Sequence, residues 1–391
     1  MINFLTSSIE FQMSLLLFVA LAGYIIASRI NQSIVIGEIL IGLLIGPSLL
    51  GFITYTDFVK SIAHLGAVIL LFVIGLEFKL NEIFKVKYFS IALVGVVVPW
   101  IGGFYLAKIF GYGFASSIFV GTALTATSIA ITANVLKERG KLKTEAAKAI
   151  IGAAVIDDVL GLLALSFTKN IVNQNFAIIS ILWTLVKALL FLVISAYAGS
   201  KFLSKAVGIA EKSDISKKFP EVVFIFAMMI AFLYSMTAEL MGLNAIVGSF
   251  IAGVSLEGAI VRNGKSYREG AEYLYIIFGS IFFVSLGILA DIHALTAPVL
   301  WFLLALTIVA IFTKVIGCYI PAKLQGMSHK DASIVGFGMS PRGEVAMIVA
   351  LIGLNAGLIK QDIYVSLVLM SLLTTLVTPI VLRNWLYKNK I

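Results

Sequence analysis

Apolar residues run along this chain in stretches of about 20, separated by short polar links, from one end to the other. A stretch of that length is what a helix needs to cross the hydrocarbon layer of a membrane. Thirteen such segments are readable: 11–28, 33–52, 60–78, 88–108, 115–136, 144–168, 174–200, 219–239, 243–260, 270–291, 297–322, 330–356 and 362–382. The expected fold is therefore an all-α, polytopic membrane protein with 13 transmembrane helices. Dividing 391 residues among 13 segments leaves about 30 for each span and its link, so no soluble domain is expected. The most polar link, 201–218, is too short to fold alone. The first segment is preceded by Glu10, has no basic residue before it and lacks a clear small-residue cleavage site, unlike a secretory signal.

Composition agrees with the pattern. Hydrophobic residues make up 60% of the chain and charged ones 13%, too few to clothe a soluble surface. This excludes a secreted disulfide scaffold and a disordered chain. The net charge of +9 is explained by loop charge rather than by nucleic acid, and no nucleic-acid partner is expected. With the N-terminus outside, the inside loops and tail hold 21 Lys and Arg residues. The outside holds 4: Lys60, Lys108, Lys169 and Lys360. A missed or extra span would invert that asymmetry, so the positive-inside rule supports a cytoplasmic C-terminus. Cys318 is the only cysteine, which excludes an intrachain disulfide.

The chain also repeats itself. Gly37 and Gly42 in segment two match Gly248 and Gly253 in segment nine, and Gly75 in segment three matches Gly287 in segment ten. The spacing from Gly42 to Gly75 is 33 residues and from Gly253 to Gly287 is 34. Repeat one then spans about 1–170, a linker helix about 171–218, and repeat two about 219–391. Equivalent helices lie seven segments apart, an odd number, so the halves have opposite orientation. Inverted repeats are a transporter architecture with the binding site at midplane between broken helices. Segment twelve is expected to break at Pro341, flanked by Gly336, Gly338 and Gly343, because proline removes a backbone donor. Its equivalent, segment five, has no proline, but Thr122, Thr125, Thr127, Ser128 and Thr132 crowd its middle. Hydroxyls can satisfy the backbone groups that a break would free.

Five charges stand deep inside segments: Asp157, Asp158, Lys314, Arg342 and Glu344. A charge at that depth is costly, so it points to a function or a pair. At 1.5 Å per residue, Asp158 lies about 21 Å, Lys314 about 14 Å and Arg342 about 20 Å into their segments. Adjacent residues point about 100° apart on a helix, so Asp157 and Asp158 cannot face one partner equally. One can pair with a lysine while the other faces a water-filled cavity. A carboxylate suits a hard cation such as Na⁺ and can bind a proton instead. Competition of the two for one group is the minimum chemistry of an exchanger. Asp157, Asp158 and Lys314 are the candidates for that exchange. Thr127, Ser128, Arg342 and Glu344 are expected to support the broken helices, the charged pair by offsetting charge and backbone dipoles. A buried ion network that only holds helices together is the alternative. Glu38, Glu77 and Glu257 are expected near inside helix ends within reach of water. His64, His293 and His329 have no ligand spacing. Lys148 is expected to snorkel inward, and Lys187 has no account beyond tilt or snorkelling.

At these residues the chain resembles the monovalent cation:proton antiporter superfamily, and within it the NapA-like sodium/proton antiporters of the second family. The matching stretches are IGEILIGLLIGPSLLG (36–51), LGAVILLFVIGLEFKL (65–80), TALTATSIAIT (122–132), AAVIDDVLGLLAL (153–165), Lys314 and SPRGEVAMI (340–348). The resemblance implies the NhaA/NapA-like fold with two crossed, unwound helices in segments five and twelve. It implies a panel domain for homodimerisation, helices about 11–78 and 219–291, and a core domain, about 88–168 and 297–382, that moves like an elevator. It makes Asp158 the ion-binding aspartate and pairs Asp157 with Lys314 in some states. An aspartate at 157 further implies electrogenic exchange, two protons per sodium. Some potassium-efflux relatives carry a cytoplasmic nucleotide-binding domain; this chain ends nine residues after segment thirteen, so none is expected.

The resulting expectation is a transporter and not an enzyme. It is a secondary-active Na⁺(Li⁺)/H⁺ antiporter of a prokaryotic plasma membrane, surrounded by lipid and needing no cofactor. A K⁺/H⁺ antiporter of the same fold is the alternative. An intramembrane aspartyl protease would need aspartates from two helices and a GxGD motif, whereas these are adjacent and the motif is absent. A passive channel is disfavoured by the lack of a TVGYG-like filter.

Overall fold

A computed structural model describes residues 8–387 except 31, 84, 173–177, 220, 258–264, 290–292 and 294–295. Loop charges Arg262, Lys388 and Lys390, and the side chains of Lys169, Lys217, Lys265 and Glu344, lie outside the described residues. Repeat one contributes α1 (Ile9–Arg29), α2 (Ile34–Ile45), α3 (Asp57–Gly75), α4 (Lys87–Ile109), α5 (Phe114–Ala123), α6 (Ile129–Glu138) and α7 (Glu145–Val172). The connection holds α8 (Ile178–Ala198), a π-helical turn and α9 (Ser204–Lys212). Repeat two contributes α10 (Glu221–Leu240), α11 (Ala245–Leu256), α12 (Lys265–Leu289), α13 (Ala297–Leu324), α14 (His329–Gly338), α15 (Glu344–Asn355) and α16 (Gln361–Val381).

Each of the thirteen apolar segments thus holds one helix or, in segments five and twelve, two. Among the described residues nine helices are long and apolar enough to cross a membrane. Segments two and nine hold helices of only 12 residues, about 18 Å long. Segment two is shorter than its apolar run because Gly46 ends α2 and Pro47 cannot continue it.

The helices pack in two groups. In one, α3 lies against α11 and α12, α2 against α12, and α1 and α10 flank α2 and α11. In the other, α4 lies against α13, and the broken helices pack with α7 and α16 around them. The repeated glycines explain the first group. A Cβ on Gly42 would strike the Val284 carbonyl and approach Gly287, while one on Gly253 would strike the Phe72 carbonyl and approach Gly75. Gly37 meets Gly23 as Gly248 meets Tyr234. Small residues let backbones touch where lipid offers no hydrophobic drive for association. Every one of these contacts has its counterpart 211 or 212 residues on, which is the pseudo-two-fold in side-chain detail. Helix ends repeat too: α4 closes at Gly111 (φ 81) and α13 at Gly326 (φ 88), both left-handed. The next amide in each case bonds back, Tyr112 N–H to the Ala107 carbonyl and Met327 N–H to the Ala322 carbonyl.

Both breaks are present, at 124–128 between α5 and α6 and at 339–343 between α14 and α15. Pro341 sits in the second, as expected. The first unwinds without a proline, and the reason lies across the crossing: the Ser128 N–H donates to the Pro341 carbonyl at 2.9 Å. Thr132 Oγ1 donates to the Gly338 carbonyl at 2.6 Å. Arg342 N–H donates to Thr374 Oγ1 at 3.1 Å, and Thr375 Oγ1 donates to the Arg342 carbonyl at 2.8 Å. Backbone groups freed inside a membrane must find such partners.

Several peripheral expectations change. Glu38 is 1% exposed rather than within reach of water, because the close α2–α12 contact covers it. Lys148 does not simply snorkel: its ammonium pairs with Glu82 at 2.8 Å. Lys187 lies 5.7 Å from the Trp183 ring centroid, a cation–π contact on a lipid-facing helix.

Candidate functional site

The aspartate pair sits midway along α7, where it passes the two breaks. Helix geometry separates the two side chains as their adjacency requires. Asp157 is 1% exposed and turns toward α13, where Lys314 Nζ donates to its Oδ1 at 2.8 Å. Lys314 is fully buried and also donates to the Thr125 carbonyl at 2.9 Å. The other carboxylate oxygen of Asp157 has no hydrogen-bond partner among the described residues. Asp158 turns the other way. It is half-buried and lines two adjoining cavities.

Those cavities are bounded by the crossing itself. Thr127, Ser128 and Gly343 line one, and Thr125, Ala126, Asp157 and Gly161 line the other. Asn244 lines both and Val345 closes them from α15. Gly343 has no room for a Cβ beside Ser128, whose Oγ would be 2.6 Å away. The close approach of the two breaks therefore requires a glycine there.

Electrostatically the breaks expose helix ends inside the apolar interior. The carbonyls at the end of α5 form a negative pole, and two cations meet it: Lys314 at Thr125 and Arg342 at Ala126. Arg342, 0% exposed, donates to the Ala126 carbonyl at 2.7 Å and the Ala310 carbonyl at 3.3 Å. Its guanidinium is thereby placed against two backbone carbonyls. Thr127 Oγ1 reaches the Met339 carbonyl only at 3.5 Å, so it is the weakest link among these. Glu344 opens α15, but its side chain lies outside the described residues.

The structure therefore brings Asp157, Asp158, Lys314, Arg342, Thr127 and Ser128 to one place from α7, α13 and both breaks. The arrangement presents carboxylate and hydroxyl oxygens to a cavity, a donor set suited to a hard monovalent cation or a proton. Sequence reasoning missed Asn244. Its signal was available in the repeat, because Asn244 stands 211 residues after Ser33, the same offset as the paired glycines, and both stand at the N-cap position of equivalent helices.

Comparison with known proteins bears on the fold and the family. The family model described as "Sodium/hydrogen exchanger, transmembrane" matches residues 15–388. The Na(+)/H(+)-K(+) antiporter GerN of Bacillus cereus is 31% identical over 375 residues, covering 95% of this chain and 95% of GerN. A Na(+)/H(+) antiporter of Enterococcus hirae is 33% identical over 379 residues, covering 96% and 97% of the two chains. The solved structure of the sodium proton antiporter MjNhaP1 from Methanocaldococcus jannaschii superposes with a TM-score of 0.70 at 17% identity. The superposition covers 96% of this chain and 95% of MjNhaP1. A model match over nearly the whole length, with relatives above 30% identity end to end, places the chain in the transmembrane sodium/hydrogen exchanger family of the monovalent cation:proton antiporter superfamily.

Proposed function

We propose that this protein is a secondary-active cation/proton antiporter that exchanges Na⁺ or Li⁺ for H⁺ electrogenically by an elevator-type movement. The observation that carries the reading is Asp158, a carboxyl half-buried in a cavity between two crossed helix breaks, beside a buried lysine–aspartate pair. Asp158 binds the cation when ionised and carries a proton otherwise. Because both compete for the same oxygens, release of one permits loading of the other. Lys314 and Asp157 contribute a second proton-linked step. The pair is intact in this structure, and its separation would leave either partner able to exchange a proton. Two protons against one sodium move one net charge.

In this reading the group of α1–α3 and α10–α12 is the panel, through which two copies dimerise. The group of α4–α7 and α13–α16 is the core that carries the cation across a prokaryotic plasma membrane. The side bearing Arg29, Lys137 and Lys141 is cytoplasmic. A second reading is K⁺/H⁺ exchange, favoured by the double specificity in the name of GerN. Both readings share Asp158 and differ only in cation.

The test is purified protein in liposomes with an imposed pH gradient, each alkali cation added in turn, and a pH-sensitive dye inside. Wild type should dissipate the gradient with Na⁺ or Li⁺. Asp158→Asn should abolish the response while eluting as a folded oligomer, since the amide keeps the shape but neither titrates nor carries charge. A near-normal response in the folded variant would sink the assignment, and a response to K⁺ alone would select the second reading.

A further inference from the structure

The N-terminal ends of α2 and α11 are pseudo-symmetric, yet they are treated differently. Asn244 caps its own helix, its Oδ1 accepting the Ile246 N–H at 3.0 Å, and it borders the cavity that leads to Asp158. Ser33, its counterpart, makes no side-chain cap to α2. Its hydroxyl donates to Glu138 Oε2 at 2.9 Å, and the Ile34 backbone N–H lies beside the same carboxylate. Glu138 is the last residue of α6, in the other packing group. One group thus caps a helix of the other in trans.

This contact belongs to a seam. Asn134 of α6 donates to Glu138 Oε1 at 3.2 Å and accepts from the Tyr275 hydroxyl of α12. Lys137 pairs with Glu272 at 3.5 Å and lies 4.5 Å from the Tyr275 ring centroid. On this side α6 packs on α2 and α3. At the equivalent place on the opposite side, α15 faces α11 across the cavity lined by Asn244, Val345 and Val349. Among the described residues the two groups are therefore bridged on the side of Lys137 and parted by the cavity beside Asp158 on the other.

We infer that Glu138 is a gate residue: its carboxylate caps α2 in trans, holds the sealed side shut, and must leave Ser33 and Ile34 before the cavity can open on that side. The inference rests on the alternating-access reading above and names the contacts that alternate. A carboxylate on the positive end of a helix is a favourable and directional pairing. Glu138 touches no transported ion and acts by positioning.

Hydrogen–deuterium exchange on the full-length protein in nanodiscs at one pH tests this, without an ion gradient. Glu138→Ala should speed exchange of the 33–38 amides on the order of tenfold, the worth of a lost charge-assisted bond. If the two ends alternate, the freed core docks on the other side, so amides at 244–250 should slow in the same sample. Glu138→Gln keeps an acceptor without the charge and should give the same pair of changes, smaller. That variant serves if the alanine protein does not fold. Faster exchange at 33–38 without slowing at 244–250 would reduce Glu138 to a local cap and overturn the inference, as would no change at either place. Because the readout needs no transport, its failure leaves Asp158 untouched, and inactivity of Asp158→Asn leaves it standing.

Discussion

The Lys314–Asp157 pair offers a thermodynamic test whose size follows from its surroundings. Both side chains are at most 1% exposed and meet at 2.8 Å. Removing one partner of a buried pair typically costs about 3–5 kcal/mol, because the other is left charged and unpaired. Asp157→Asn belongs at the low end, about 3 kcal/mol, since Lys314 keeps the Thr125 carbonyl. Lys314→Gln belongs at the high end, about 5 kcal/mol, since the second Asp157 oxygen already lacks a donor among the described residues. The double variant leaves no orphan charge and should cost about 5 rather than 8 kcal/mol, a coupling of about 3 kcal/mol. An unfolding entropy of about 2.1 cal/mol/K per residue makes 1 kcal/mol worth about 1.2 °C in a chain of this length. The expected drops in Tm are then about 4 °C, 6 °C and 6 °C for the three variants. Thermal unfolding of the detergent-solubilised protein, followed by size-exclusion fluorescence, resolves these. A double variant that falls by the full sum, about 10 °C, would show that the two groups do not stabilise one another.

Sodium addition to proteoliposomes on a solid-supported membrane should give transient currents, since each net charge couples to the potential by about 2.3 kcal/mol per 100 mV. The Lys314→Gln protein should retain antiport but lose the current; a fully electrogenic variant would remove Lys314 from the proton count. Gly42→Ala and Gly253→Ala should each destabilise by about 3 kcal/mol, because each Cβ meets a backbone carbonyl that cannot yield. Gly208→Ala, with nothing within 4 Å, should be neutral or stabilise by about 0.5–1 kcal/mol. Equal melting of all three proteins would contradict the packing argument. Arg342→Lys should lower Tm by several degrees and impair transport, because a single ammonium cannot span the Ala126 and Ala310 carbonyls as the guanidinium does.

What the sequence revealed is what a membrane makes expensive. Charges at Asp157, Asp158, Lys314 and Arg342 stand out against apolar runs because hydrocarbon penalises each of them singly, so each can be noticed without knowing its partner. The glycine pairs were legible for a related reason: only a repeat preserves spacing, and their contacts across the pseudo-two-fold bear it out. Glu38 was misjudged because depth along a helix says nothing of what covers it sideways. The Ser33–Glu138 bridge joins residues 105 apart. Neither residue is unusual alone, and Glu138 reads as an ordinary helix-end charge.

The unequal legibility of the two breaks has the same cause and a mechanical consequence. Pro341 announces one break locally. The other is held open by groups about 190–220 residues away: Lys314 takes the Thr125 carbonyl, Arg342 takes that of Ala126, and the Pro341 carbonyl takes the Ser128 N–H. Lys314 is therefore shared between Asp157 and the end of α5, and that end lines the cavity facing Asp158. A change in the charge of either Asp157 or Lys314 alters how firmly Thr125 is held, and with it one wall of the cavity. The two aspartates, pointed apart by helix geometry, are thus joined through one ammonium and one carbonyl rather than through each other. Coupling of that kind needs no direct contact between the carboxyls. In the proposed exchange, it gives a lysine that faces away from the cavity a physical route to Asp158.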